Sequence, residues 1–232
     1  MNATKITLLA ITLFAALGYV WFTSEPQLQD SRQIALPWNV EPHEDGTSTV
    51  FDIRLETTTV SELLTTLGED HEIAIISDAQ DRSGLEIYYS YFSSGPIRGK
   101  LIAQVAVHDD TLSEMKTRAA SSSYMDSGAR KFLLSPADYD RIQSMPINNL
   151  ALTPSANLDE QIILSRFGLN AQRVLTPEGI EHFLYPQLGI DIALSQEAKE
   201  LIQYVAPRSF KVLSAPLETL AEQESLESTA QP

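Results

Sequence analysis

Four histidines, His43, His71, His108 and His182, are the groups of this chain best suited to moving a proton near neutral pH. Each stands alone in its segment, and none pairs at a metal-ligand spacing such as H-x-x-x-H, so no metal site is expected. Among the adjacent carboxylates, Glu44–Asp45, Glu69–Asp70 and Asp109–Asp110 have the chemistry to act as acid and base or to hold a cation. All three fall at predicted turns or element ends, where water solvates them. Glu181 and His182 form an acid–imidazole pair inside an expected strand, but neighbouring strand residues point to opposite faces and do not meet. No G-x-S-x-G elbow, P-loop or G-x-G-x-x-G run occurs. No catalytic, cofactor or metal residue is expected, which leaves recognition. Its best material is the run Tyr88, Tyr89, Tyr91 and Phe92, denser in aromatics than a buried strand face needs. In a regular strand Tyr88 and Phe92 share one face and Tyr89 and Tyr91 the other. One pair packs a core, and the other is free to offer apolar area with a hydrogen-bonding tip.

Composition narrows the partners. The chain has 232 residues, 43% of them hydrophobic, enough for one sizeable domain or two small ones. Its 31 acidic against 16 basic residues give a net charge of -15, a field that repels phosphate backbones. Nucleic acid is therefore not an expected partner. Cysteine is absent, so disulfides, thiolate metal sites, a Cys nucleophile and lipid attachment through an N-terminal Cys are all excluded.

Residues 6–22, "ITLLAITLFAALGYVWF", are free of charge and just long enough to span a bilayer as a helix. Lys5 and the terminal amine precede them, while Glu25 and Asp30 follow, which places the N-terminus in the cytoplasm. Tyr19, Trp21 and Phe22 fit an aromatic belt at the outer interface. "YVWFTSEP" lacks a small-x-small cleavage pair, so an uncleaved anchor is expected. Cleavage near Ala15 or Ala16, which would release the protein to the periplasm, and a buried helix are the alternatives.

The elements that must position the aromatic run come as an echo. Thr59 and Glu62 form a capping box ahead of an apolar stripe, Val60, Leu63, Leu64 and Leu67, stopped by Gly68. About a hundred residues later Asn157 and Glu160 offer a cap. Leu158, Ile162, Ile163 and Phe167 give the stripe there, and Gly168 the stop. "EIAIIS" then matches "QRVLT", "LEIYYSYF" matches "IEHFLY", and "KLIAQVAV" matches "ELIQYVAP". The pattern predicts an internal duplication. A hairpin around "EDG" precedes the first unit. Between the units, residues 111–120 read as helix, "SSSYMDSGARK" as loop, and Ser135 as the cap of a short helix opened by Pro136.

A capped helix ending in Gly and followed by an antiparallel meander resembles the small envelope proteins of the SmpA/BamE type. "TTTVSELLTTLG" is the nearer match and "ANLDEQIILSRFG" the second. Glu69 and Asp70, then Leu169 and Asn170, follow the glycines where that family usually has Pro. Two such units in one chain also resemble the β-lactamase inhibitor protein. The resemblance implies helices packed on a sheet whose other face binds protein, with no catalytic residues.

The expected architecture is α+β, an N-terminal transmembrane helix followed by two related helix-plus-antiparallel-meander units. Residues 1–24 form a signal anchor, 25–35 a tether, 36–108 the first unit, 109–150 a helical connector, 151–213 the second unit, and 214–232 an acidic disordered tail. The expected function is a non-catalytic, periplasm-facing module that binds another envelope protein and sits in the inner membrane through residues 6–22. Its expected contact surface is the open sheet face around Tyr89, Tyr91, His182 and Leu184. A small-molecule or lipid sensor and a hydrolase with dispersed catalytic residues are the alternatives.

Overall fold

Residues 35–219 are described in the structure, a computed structural model. The expected anchor at 6–22 and residues 220–232 of the expected tail lie outside that range. Among the described residues no helix is long and apolar enough to cross a membrane. The described residues first form a small three-stranded sheet, β1 (Glu41–Pro42), β2 (Ser48–Val50) and β3 (Ile53–Arg54). The "EDG" turn does join β1 to β2. The Asp45 carboxylate accepts hydrogen bonds from the Thr47 amide at 3.0 Å and hydroxyl at 2.7 Å, and Gly46 supplies φ +79°.

The first helix, α1 (Val60–Leu67), begins at the capping box: the Thr59 amide donates to Glu62 at 2.8 Å, and the Glu62 amide to the Thr59 hydroxyl at 3.4 Å. Those bonds from Thr59 hold the Glu62 carboxyl below its ordinary range. Gly68, at φ +91°, ends the helix, and Val60 and Leu63 bury the inward stripe. β4 (Glu72–Ser77), β5 (Ser83–Ser94) and β6 (Ile97–Val105) follow as a meander. Then come α2 (Asp109–Thr117), β7 (Ser121–Tyr124), β8 (Arg130–Leu133), α3 (Pro136–Ile142) and β9 (Ile147–Pro154). α4 (Glu160–Phe167) precedes β10 (Gln172–Leu175), β11 (Glu181–Tyr185), β12 (Ile190–Leu194) and β13 (Leu201–Val205). A 3-10 turn, Pro207–Ser209, leads into a helix over residues 211–219.

The fold is α+β. Its ten-stranded antiparallel sheet has the order β10-β11-β12-β13-β9-β6-β5-β4-β8-β7. β9 lies between β13 and β6, so the strands after α1 and those after α4 belong to one sheet.

Several expectations need correction. Helix α4 is capped by Asp159, whose carboxylate accepts from the Ile162 amide at 2.7 Å; Asn157 instead accepts from Lys199. "SSSYMDSGARK" is the β7–β8 hairpin, which extends the sheet beyond β4, so 109–150 is not a purely helical connector. Strand β12 has no counterpart in the sequence pattern, and β9 begins before residue 151. Residues 214–219 of the expected disordered tail are helical, with Leu213 and Leu217 buried.

The buried residues of α1 to α4 (Val60, Leu63, Leu112, Met115, Ile142, Ile163 and Phe167) form one cluster with Ile87, Leu101, Leu150 and Ile202 of the sheet. All four helices therefore cover the same sheet face. Aromatic contacts close this layer along its length, with Phe51 edge-on to both Phe92 and Tyr204, and Trp38 edge-on to Phe167.

Candidate functional site

Alternation along the strands places the residues between the core positions on the opposite face. Their registers align into one row across eight strands: Glu72, Tyr88, Ile102, Ala151, Gln203, Asp191, Leu184 and Gln172. Tyr88, Ile102, Ala151 and Gln203, at the centre of the row, are only half-buried. A neighbouring row runs through Glu86, Gln104 and Asn149. Burial pushes the Glu86 carboxyl above its ordinary range. Gly84 leaves room there: a Cβ at that position would lie 2.8 Å from the Gln104 amide nitrogen. Lys100 and Arg98 stand on the same face of β6, farther along the strand, and both are exposed. Glu72 is paired with Lys131 at 2.7 Å, while Lys100 and Arg98 make the other end of the face basic.

At its far end the face is covered. Leu184 and Val205 form a second cluster with Phe210, Leu213 and Leu217, the last two from the helix at 211–219. Next to this cap, His182 Nδ1 lies 2.9 and 3.0 Å from the two Asp191 carboxylate oxygens, on side chains 13% and 3% exposed. Glu181 points the other way, to Arg173 at 2.6 Å, so the adjacent acid and imidazole are indeed separated. Asp191, 2% exposed and bonded to His182, is not singled out by the sequence. Its only signal is a lone acid in the apolar run "GIDIAL".

The four residues expected to make a contact surface are not brought together. Tyr89 is 2% exposed and faces the helices, where its hydroxyl donates to the Gly68 carbonyl at 3.2 Å. Burial, with Tyr139 next, pushes its phenol up to about 12. Tyr91 is 56% exposed but sits in a β-bulge between Tyr89 and Phe92, and Leu184 lies under the C-terminal helix. His182 shares the face of Tyr88, tied to Asp191. The extra residue in the bulge shifts the alternation, so Tyr89 and Phe92 both turn inward and Tyr88 is the aromatic of the open face.

The remaining acid pairs and histidines are dispersed. His43 lies 2.8 Å from the Thr49 hydroxyl, His71 packs its ring on Tyr89, and His108 precedes α2. Glu69 and Asp70 follow α1 at the surface, and Asp109 and Asp110 occupy the first turn of α2. Among the described residues no group of three or more His, Asp or Glu is placed to hold a metal ion. Comparisons with protein families, with curated proteins and with solved structures found no match to this chain.

Proposed function

We propose that this chain is a non-catalytic, membrane-anchored module of the cell envelope that binds another envelope protein on its open sheet face. In this reading residues 6–22 hold it in the inner membrane and the folded part faces the periplasm. The observation that carries the proposal is the row from Tyr88 to Gln203. It is a broad, flat, mixed apolar and polar surface in fixed register, left half-exposed while four helices bury the other side. Such a surface suits a protein partner better than a small molecule, which needs a concave site. The net charge of -15 makes nucleic acid an unsuitable partner.

The same reading takes the chain as two related units. Its support is a matched contact: Tyr89 donates to the Gly68 carbonyl after α1, and Tyr185 to the Gly168 carbonyl after α4, at 3.2 and 2.9 Å. The SmpA/BamE resemblance of "TTTVSELLTTLG" points the same way.

The test is purification of the tagged full-length chain from its native membrane in mild detergent, with mass spectrometry of what accompanies it. Deletion of residues 1–24 is the control for anchor-driven background. A stoichiometric envelope protein is expected with the wild type. It should be lost with Ala151→Arg, which projects a charge from the centre of the open face without entering the core. Equal retention by Ala151→Arg, or no specific companion at all, overturns the proposal.

A further inference from the structure

Many cations among the described residues are held by carboxylates, as Arg208 is by Glu56 and Arg173 by Glu160 and Glu181. Arg98 and Arg166, like Lys100, Arg130, Lys199 and Lys211, form no ion pair among the described residues. Arg98 lines an apolar pocket of about 220 Å³ walled by Trp38, Phe167, Leu158 and Ile97, and Arg166 stacks on its Trp38 wall. The Arg166 guanidinium lies 5.0 Å over the Trp38 ring, and that ring meets Phe167 edge-on at 6.1 Å. The volume is smaller than the roughly 300–1,000 Å³ of pockets that enclose a whole small molecule, and it suits one large side chain. Trp38 and Phe167 offer an aromatic guest the edge-to-face packing that such rings favour. The two guanidiniums, with most of their donors free, are forks for carboxylates.

We propose that this pocket takes an aromatic side chain from a protein partner, flanked in the partner's sequence by Asp or Glu residues that pair with Arg98 and Arg166. This rests on the protein-binding reading above and names the partner's chemistry. Arg98 stands on the face of β6 that carries Lys100 and Ile102, whereas Ile97, Ile202 and Phe167 belong to the helix side, so the pocket lies at the end of β6 where the two faces meet.

The probe is the acetylated, amidated pentapeptide Glu-Asp-Phe-Asp-Glu, titrated into the full chain in lipid nanodiscs. Trp21→Phe leaves Trp38 as the single tryptophan reporter. A saturable change in Trp38 emission is expected. It should be abolished when the peptide carries Ala for Phe, and weakened at least tenfold by Arg98→Glu with Arg166→Glu. Ala156→Phe, which fills the pocket from its rim, leaves the charges alone and keeps Trp38 as the single reporter, should also abolish it. Equal binding of Lys-Lys-Phe-Lys-Lys, unchanged affinity in the double variant, or no saturable change up to millimolar peptide overturns the inference. So does tighter binding of octyl sulfate than of the peptide, which would mark a lipid-like anion. A failed titration alongside partner loss in Ala151→Arg removes this inference and leaves the protein-binding reading intact.

Discussion

Asp138 is 1% exposed and ionised, which is tolerable only because its partners are complete. Arg118 grips it with two bonds of 2.7 and 2.8 Å, and the Ser135 hydroxyl donates a third at 2.7 Å. The Arg118 bonds, against the opposing effect of burial, hold its carboxyl below the ordinary value of 3.8. A depressed carboxyl stabilises the fold above its unfolded value, and that contribution is lost as pH falls through the folded one. Asp138→Asn should therefore lower Tm at pH 7, and the gap to wild type should close as pH drops below about 4. Melting curves from pH 7 to 3 test this; a gap that stays constant would show that the charge of Asp138 contributes nothing. Tyr89 and Tyr185 make a second residue-scale case. Each phenylalanine substitution removes one hydroxyl donor from a helix-ending glycine carbonyl, at a cost of about 1 kcal/mol. The two sites share no hydrogen-bond partner, so the double variant should show the sum. For a domain of this size that is a fall of roughly 4–8 °C in Tm.

At the scale of elements, what could be read in advance follows how much of the structure is written locally. Helix α1 is legible because Thr59, Glu62 and Gly68 each state a terminus and four apolar residues fall at helical spacing. The β7–β8 hairpin is not, because all of β7 is exposed and "SSSY" carries no alternating pattern to betray a strand. Strand β12 hides for another reason: Asp191 sits where an apolar residue would complete the run, and its partner His182 is on the next strand. The open face was legible as a kind of surface but not as a set of residues. The match of "LEIYYSYF" with "IEHFLY" aligns Tyr89 with Leu184, one residue short of the structural match between Tyr89 and Tyr185, and a slip of one residue exchanges the faces. The helix at 211–219 is not legible because Pro216 interrupts its pattern and the acidic, small-residue run that follows reads as a tail, while its burial depends on Leu184 and Val205 in distant strands. Leu217→Ala should cost about 2 kcal/mol by opening a cavity over these residues, read as a lowered midpoint in urea with unchanged slope. No change in midpoint would mean that the helix does not contribute to the fold.

For the whole molecule the decisive element is β9. Its eight residues pair with β6 on one side and β13 on the other, and Leu152 stands opposite both Leu101 and Ile202. If the strands after α4 detached, β9 would lose one ladder and its apolar side chains would lose half of their cover. The two related units are therefore not expected to behave as two domains. Further ties cross between them: the Tyr204 hydroxyl donates to the Pro37 carbonyl at 3.1 Å, Phe51 packs on both Phe92 and Tyr204, and Trp38 packs on Phe167. With no cysteine in the chain, noncovalent contacts such as these tie the units together without a disulfide. Urea unfolding of the full chain carrying Trp21→Phe should give one transition, with Trp38 emission and far-UV circular dichroism superimposing. Trp38 lies in the first unit and packs on Phe167 of the second, so its emission reports their union, whereas circular dichroism sums all strands and helices. A Trp38 transition at clearly lower urea than the loss of secondary structure would mean that the units separate before they unfold. The open face would then be hinged at β9, and a partner bound across Tyr88, Ala151 and Gln203 would have to close that hinge as well as cover it.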